Sequence, residues 1–286
     1  MTATATELAT PRRGLVAALR HSISRNELFT GLYILGCANG LLGRILVGVN
    51  SDGWLGILGG DISVIVWFAC FAGVSMMAQE DKEEIGFADS AVAAVFLILV
   101  ILPIFSLSWV AVTGLSLYIL LFANDGSSRK RGALILLALT VPMLWSGLIF
   151  RFLMNPILEI DASLVAWILG TERVGATFGF ADGSGSVVML PACSSFANLS
   201  LAFLCWVSIT QWAEHRWSAI DIVWSLLACI SVIAVNVTRI SLMGLSPWHH
   251  ALLHNELGNM ITNFIILAFI VGFTVIGARR ELFPRA

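Results

Sequence analysis

The strongest constraint in this chain is a succession of apolar runs, at 28–48, 62–79, 89–106, 108–124, 133–150, 196–213, 219–237 and 260–278. A membrane-crossing helix needs about 20 mostly apolar residues, with about 17–25 tolerated. Lipid offers no hydrogen-bond partners, so a run of this kind must satisfy its own backbone as a helix. The stretch from 89 to 124 would overshoot the bilayer as one helix, and we divide it near Ser106–Ser108, after Pro103. The chain therefore reads as an all-α polytopic membrane protein of about eight transmembrane helices, a single integral membrane domain over 1–286. Its composition agrees, being 58% hydrophobic and 12% charged, where soluble domains average about 45–50% and about 25%. A net charge of −2 gives no reason to invoke nucleic acid as a partner, and the bilayer is the expected one.

Charge in the connections sets sidedness, because Lys and Arg collect in short cytoplasmic loops. Arg12, Arg13, Arg20 and Arg25 precede the first run, inside a segment 1–27 that reads as cytoplasmic. Lys82, the group Arg129, Lys130 and Arg131, then Arg216, and finally Arg279, Arg280 and Arg285 occupy alternate boundaries. The other boundaries hold only Arg44, Arg151, Arg173 and Arg239. Eight crossings with both termini inside reproduce this bias. No A-x-A-like site ends the apolar stretch at 28–43, so a cleaved leader is not expected.

Two outer segments are then long, 151–195 and 238–259, while the other outer loops are short. Long ordered loops on a rigid scaffold are where sites are usually built. Residues 152–170 read as an amphipathic helix on the outer surface, with Leu153, Ile157, Val165 and Ile168 on its apolar side and Glu159 and Asp161 facing water. The alternative, a tilted short span, would invert everything downstream. Residues 174–191, with Gly175, Gly179, Gly183 and Gly185, read as turns or a short hairpin leading to Pro191.

Within this frame Cys193, Arg239 and His254 fall at the same outer edge. Of the five cysteines, Cys37, Cys70, Cys205 and Cys229 lie inside apolar runs, where a thiol behaves as a small hydrophobe. Cys193 instead follows Pro191-Ala192 and precedes Ser194-Ser195, at or next to a helix N-terminus, whose dipole favours a thiolate. Arg239 follows Asn236 by three positions and shares its helix face. His254 belongs to a loop holding three of the chain's five histidines. An imidazole near its usual pKa of about 6.5 can accept and return a proton at neutral pH. Metal binding is the other account of that loop, since His250 and His254 are i and i+4 with Glu256 nearby. The H-E-x-x-H order and a third ligand are both missing, so no metal and no cofactor are expected.

These stretches resemble the exosortase/archaeosortase family of multispanning membrane enzymes. Ala192-Cys193-Ser194-Ser195 is similar to that family's A-C-S-G motif, Asn236-Val237-Thr238-Arg239 to its N-x-x-R motif, and His254 through Gly258 to its His followed four residues later by Gly. The resemblance covers roughly 150–260, and it departs at Ser195, where the family usually has Gly. It implies a cysteine protease/transpeptidase acting on secreted proteins that carry a C-terminal sorting signal: a short motif, a hydrophobic span and a basic tail. In bacteria such substrates are often of the PEP-CTERM type and linked to exopolysaccharide production, and the enzyme sits in the inner membrane. The expected roles are Cys193 as nucleophile, His254 as acid and base, and Arg239 as holder of the oxyanion, with Asn236 orienting Arg239, Ser194 supplying a donor, and Gly258 completing the His motif.

Two readings from other classes stay open at this stage. A transporter would place charges on an intramembrane pathway, but Arg44 and Asp61 are the only candidates and both sit near run ends. A non-catalytic assembly subunit would leave Cys193 inert toward a membrane-impermeant thiol reagent, whereas an enzyme would expose a reactive one.

Overall fold

The computed structural model describes residues 23–52, 62–79, 83–122, 126–215 and 218–279, with the side chains of 47–52, Ala192 and Glu256 left out. Ten helices are seen among them: α1 (Arg25–Asp52), α2 (Val64–Met77), α3 (Phe87–Ile101), α4 (Phe105–Phe122), α5 (Ser128–Thr140), α6 (Ser146–Leu169), α7 (Phe196–Trp212), α8 (Ala219–Met243), α9 (Pro247–Leu253) and α10 (Glu256–Gly277). Between α6 and α7 lie three short strands, β1 (Arg173–Val174), β2 (Thr177–Gly179) and β3 (Ser186–Val188). Asp61, Lys82, Arg216 and the basic residues at 12, 13, 20, 280 and 285 lie outside the described residues.

Each apolar run coincides with a helix. Five segments are long and apolar enough to cross a membrane: Arg25–Leu46, Phe105–Phe122, Ser128–Leu169, Ala219–Met243 and Leu257–Gly277. Three others, α2, α3 and α7, are apolar but shorter. At about 1.5 Å per residue the 14 residues of α2 rise only about 21 Å, short of the hydrocarbon core of about 30 Å. Among the described residues, five segments thus have the length to cross and three apolar helices fall short of it.

Proline places the breaks. The turn at Pro103 separates α3 from α4, a few residues before the expected Ser106–Ser108. Between α5 and α6 the chain does not leave the helical path. Val141–Trp145 forms one π-helical turn containing Pro142. Arg44, which has no partner legible in the sequence, reaches the Pro142 carbonyl at 3.5 Å. A second deflection falls at Leu153 (φ −112°, ψ 18°), three residues before Pro156. Pro156 has no N–H for the Phe152 carbonyl and its ring crowds that carbonyl, so the helix bends just there.

The part of α6 beyond this bend corrects the expected surface helix. Its inward stripe is Leu158, Asp161, Ala162, Val165 and Ala166. Asp161 is 5% exposed rather than facing water, while Ile160, Trp167 and Ile168 point outward. The segment is a continuation of the α5–α6 rod whose outer face is apolar and whose acid is turned inward. The apolar count alone favoured the wrong side, because a single carboxylate with a buried job breaks the pattern.

Helix packing uses small residues. Gly73 of α2 and Gly132 of α5 meet so closely that a Cβ on Gly132 would lie 2.9 Å from the Gly73 carbonyl oxygen. Close backbone approach of this kind takes the place of the hydrophobic drive that lipid removes. Polar side chains stitch the bundle at Tyr33–Ser116 (3.0 Å) and Asn39–Ser108 (2.8 Å). Large apolar side chains such as Phe71, Leu121 and Phe264 remain exposed on the outside. An exterior this apolar suits lipid and not water.

The two ends of the bundle differ in charge. At one end Glu83 accepts from both Arg25 and Arg129 at 2.8 Å, and Arg131 pairs with Glu214 at 2.8 Å. Glu83 is held below the usual carboxylate range by the hydrogen bonds from Arg129 and Arg25. His215 and Asp221 meet at 2.9 Å beside that cluster, at the start of α8. Arg239 stands eighteen residues along α8 from Asp221, a rise of about 27 Å at about 1.5 Å per residue. The strands, α9 and the candidate site are gathered at this far end.

Candidate active site

The far end is built on a second apolar core. Leu158, Ala162 and Val165 of α6, Phe178 of β2, Met189, and Val237 and Ile240 of α8 pack together, with Cys193 against them. The strands form an antiparallel sheet in the order β1-β2-β3, so the glycine-rich stretch is the expected turn structure with one more strand than a hairpin. Gly175 and Gly183 turn the chain at positive φ (57° and 73°), a region that L side chains rarely adopt. The Ala181 N–H donates to the Gly244 carbonyl at 3.0 Å and ties the sheet to the end of α8.

From β3 the chain enters a tight 3₁₀ turn, Pro191–Cys193. The Cys193 N–H donates to the Leu190 carbonyl (2.9 Å) and the Ser194 N–H to the Pro191 carbonyl (3.2 Å). Helix α7 begins two residues later, with Ser195 as its N-cap. Cys193 thus precedes the helix end instead of occupying it. The carboxylate of Asp161 takes that position: it accepts from the Ser195 N–H at 3.0 Å and from the Ser195 hydroxyl at 3.2 Å. An acid on a helix N-terminus uses up the local positive field. Arg239 is near enough to Cys193 to interact with it electrostatically.

Asn236 has a different job from the one its spacing suggested. Its amide donates to the Cys193 carbonyl at 2.7 Å and to the Ser195 hydroxyl at 3.0 Å, and it is buried. It fixes the backbone at Cys193, and no hydrogen bond joins it to Arg239 among the described residues. Ser194 is likewise occupied, since its hydroxyl accepts from the Phe196 N–H at 3.2 Å and is buried. Its N–H is taken by the Pro191 carbonyl, while the hydroxyl, accepting from Phe196, keeps its own proton to donate. Ser195 sits at φ −66°, ψ −20°, where any residue is at ease, and its side chain is anchored on both sides. The departure from glycine at this position therefore strains nothing.

Arg239 is oriented by residues the motif did not include. Its guanidinium donates to Asn259 Oδ1 of α10 and, at 3.5 Å, to the Leu253 carbonyl at the end of α9. Its Nε is buried with no hydrogen-bond partner among the described residues. A cationic donor left unpaired is costly and is available to a ligand oxygen that relaxes the site.

His254 caps α9 and lies stacked on His250, with ring centroids 5.0 Å apart. His249 is committed to Ser246 at 2.8 Å. Burial and the neighbouring His254 hold the His250 imidazole below its ordinary range. Among the three, His254 alone borders both cavities described next.

Gly258 explains the sharp turn from α9 into α10. A Cβ there would lie 2.3 Å from the Leu253 carbonyl oxygen and 2.9 Å from its carbon. Only glycine lets α10 start against that carbonyl, and the same carbonyl receives Arg239. We expect Gly258→Ala to push α9 and His254 away from Arg239. Overpacking of this kind also costs about 1–3 kcal/mol of stability, readable as a lower Tm in detergent.

Cys193, Arg239 and His254, drawn from three separate segments, line one cavity of about 260 Å³ together with Asn236 and Asn259. Asn198, Thr262 and Asn263 complete its polar wall. A second, apolar cavity of about 160 Å³ adjoins it and shares Cys193 and His254. Among the described residues no group of three His, Cys, Asp or Glu side chains is arranged to hold a metal ion. Sequence reasoning missed Asp161, Asn259 and Asn263. The two asparagines had a signal: Asn255, Asn259, Thr262 and Asn263 recur at helical spacing across the start of the apolar run 260–278, and polar residues of this kind in membrane helices face protein.

Asp161 carries a stability prediction. Asp161→Ala leaves the buried Ser195 N–H and hydroxyl without an acceptor, at a cost of about 1–3 kcal/mol. The expected result is a lower Tm and faster proteolysis between Ser186 and Ser195, with Asp161→Asn intermediate because one acceptor oxygen survives.

A thiol, an imidazole and a half-buried guanidinium border one cavity at the end of a bundle whose long apolar helices are those of a membrane protein. No family model, curated protein or solved structure matches the chain.

Proposed function

We propose that this protein is a membrane-embedded cysteine protease/transpeptidase of exosortase type. It removes a C-terminal sorting signal from secreted proteins at the outer face of a bacterial inner membrane. The observation that carries this reading is the shared cavity: Cys193, Arg239 and His254 are far apart in sequence and border one space. Eight crossings with both termini cytoplasmic accompany the proposal. The gathering of Arg25, Arg129 and Arg131 at the end of the bundle away from that cavity supports this orientation.

In the proposed reaction the Cys193 proton passes to His254 and the sulfur attacks the scissile carbonyl. The carbonyl oxygen takes up negative charge beside the Arg239 guanidinium. The C–N bond then breaks, and the leaving amine takes the proton from His254, giving a thioester on Cys193. Water or an acceptor amine next loses a proton to His254 and attacks the thioester. The C–S bond breaks and the sulfur recovers its proton. Arg239 keeps its proton throughout, which suits it to charge stabilisation and not to proton transfer. A substrate anchored by its own hydrophobic span is confined to the membrane plane, which raises its effective concentration at the site.

The test is co-expression with a secreted reporter ending in motif, apolar span and basic tail. Tail removal is followed by gel shift, and the acyl-enzyme is sought by mass spectrometry after acid quench. Loss of the tail with reporter-derived acyl mass on Cys193 is expected. Tail loss with no adduct on Cys193, or an intact tail with each reporter of a motif series, overturns the proposal.

A further inference from the structure

The apolar cavity beside Cys193 has no part in the chemistry just described, yet it opens onto the same sulfur. Its floor is buried: Phe178 of β2, Met189, and Ile240 and Met243 of α8 are each no more than 3% exposed. Its rim is open, with Val188 57% and Leu190 52% exposed. Gly244 closes one wall, where a Cβ would lie 2.5 Å from Leu169 and 3.0 Å from Phe178. His250 forms part of the lining, its imidazole held below the ordinary range by burial and by His254.

The two cavities meeting at Cys193 differ in kind. The one holding Arg239 and Asn259 is lined by amides and a guanidinium, and the other almost wholly by aliphatic and aromatic carbon. In acyl transfer the two sides of the scissile bond have different histories. The leaving amine must depart and be replaced by water or another amine, so that side needs polar, wettable walls. The acyl residue stays on sulfur through both half-reactions and can occupy a dry pocket throughout. Resting on the acyl-transfer reading above, we propose that the apolar cavity binds the side chain of the residue whose carbonyl is attacked, and selects an uncharged aliphatic residue of about leucine size. A carboxylate placed there would lose its water with only the His250 and His254 imidazoles as polar side chains in an otherwise apolar lining. Ile240 and Met243 are then specificity-determining residues.

The test uses the full chain in detergent micelles and three peptidyl acyloxymethyl ketones that differ only at the residue next to the reactive ketone: Leu, Ala or Asp. Each alkylates a reactive thiol by displacing its carboxylate leaving group. The rate of mass increase at Cys193 is read by intact-mass spectrometry. A pocket worth a few buried methylenes discriminates by about 10–200-fold, so the Leu probe should react at least tenfold faster than Ala and faster still than Asp. Ile240→Phe, which shortens the pocket, should bring the Leu-to-Ala ratio to about one or below. Leu and Asp rates within about threefold of each other in the unmodified protein overturn the pocket assignment alone, whatever the variant does. No labelling by any of the three, with Cys193 still open to a small maleimide, overturns the acyl-transfer reading and the pocket with it.

Discussion

Cys193→Ala is expected to abolish tail removal, to below about one part in 10⁴ of the unmodified rate if residual catalysis is of the size that hydrolases retain after losing a nucleophile. Cys205→Ala should leave the rate within about twofold. The contrast is the informative part. Cys205 is 2% exposed in the bundle core, and replacing it removes one sulfur from a packed interior. Cys193 is half-buried and borders both cavities, with its carbonyl held by Asn236 and its neighbour Ser195 held by Asp161. Alanine at 193 disturbs none of those backbone anchors, so the variant should fold and bind with its Tm unchanged within about 2 °C. A gel shift and a melting curve together separate loss of chemistry from loss of structure. Full processing by Cys193→Ala would end the enzyme reading.

Arg239→Ala should lower the single-turnover rate by about 10²–10³, the size of effect seen when one oxyanion donor is removed. Arg239→Lys should recover little of it. One guanidinium nitrogen, Nη2, donates to both Asn259 and the Leu253 carbonyl while Nε has no partner among the described residues, whereas an ammonium has no second nitrogen to hold toward a ligand. If Arg239 acts on the reaction and not only on the fold, binding of a tailed peptide to the Cys193→Ala background should be unchanged within about threefold by the second substitution. A fall in affinity equal to the fall in rate would instead make Arg239 a substrate-binding group.

Much of the architecture was legible because lipid makes it so. An apolar run in a bilayer has one backbone solution, so the positions of the helices follow directly from 28–48 through 260–278. Helix length was less legible. The run at 62–79 holds a helix of only 14 residues, Val64–Met77, and hydropathy alone does not mark its start behind the Ser63 N-cap. The face of α6 was misread because Asp161 looks like a water-facing residue until Ser195, thirty-four positions away, claims both its oxygens. Asn236 was placed on the right helix face but assigned the wrong neighbour, since a shared face says what is close on α8 and nothing about what α7 brings to it.

The chemistry-bearing residue types, their order along the chain and their confinement to two loops at one end were set by the amino-acid sequence, because burial in lipid leaves few places for a thiol, a guanidinium and an imidazole to be polar together. Their convergence was decided by tertiary contacts. The Leu253 carbonyl can meet Arg239 only because Gly258 lacks a side chain, and Cys193 faces the cavity only because Asn236 and Asp161 hold the turn around it. Such contacts join segments dozens of residues apart, and their geometry depends on helix crossings that no local pattern encodes.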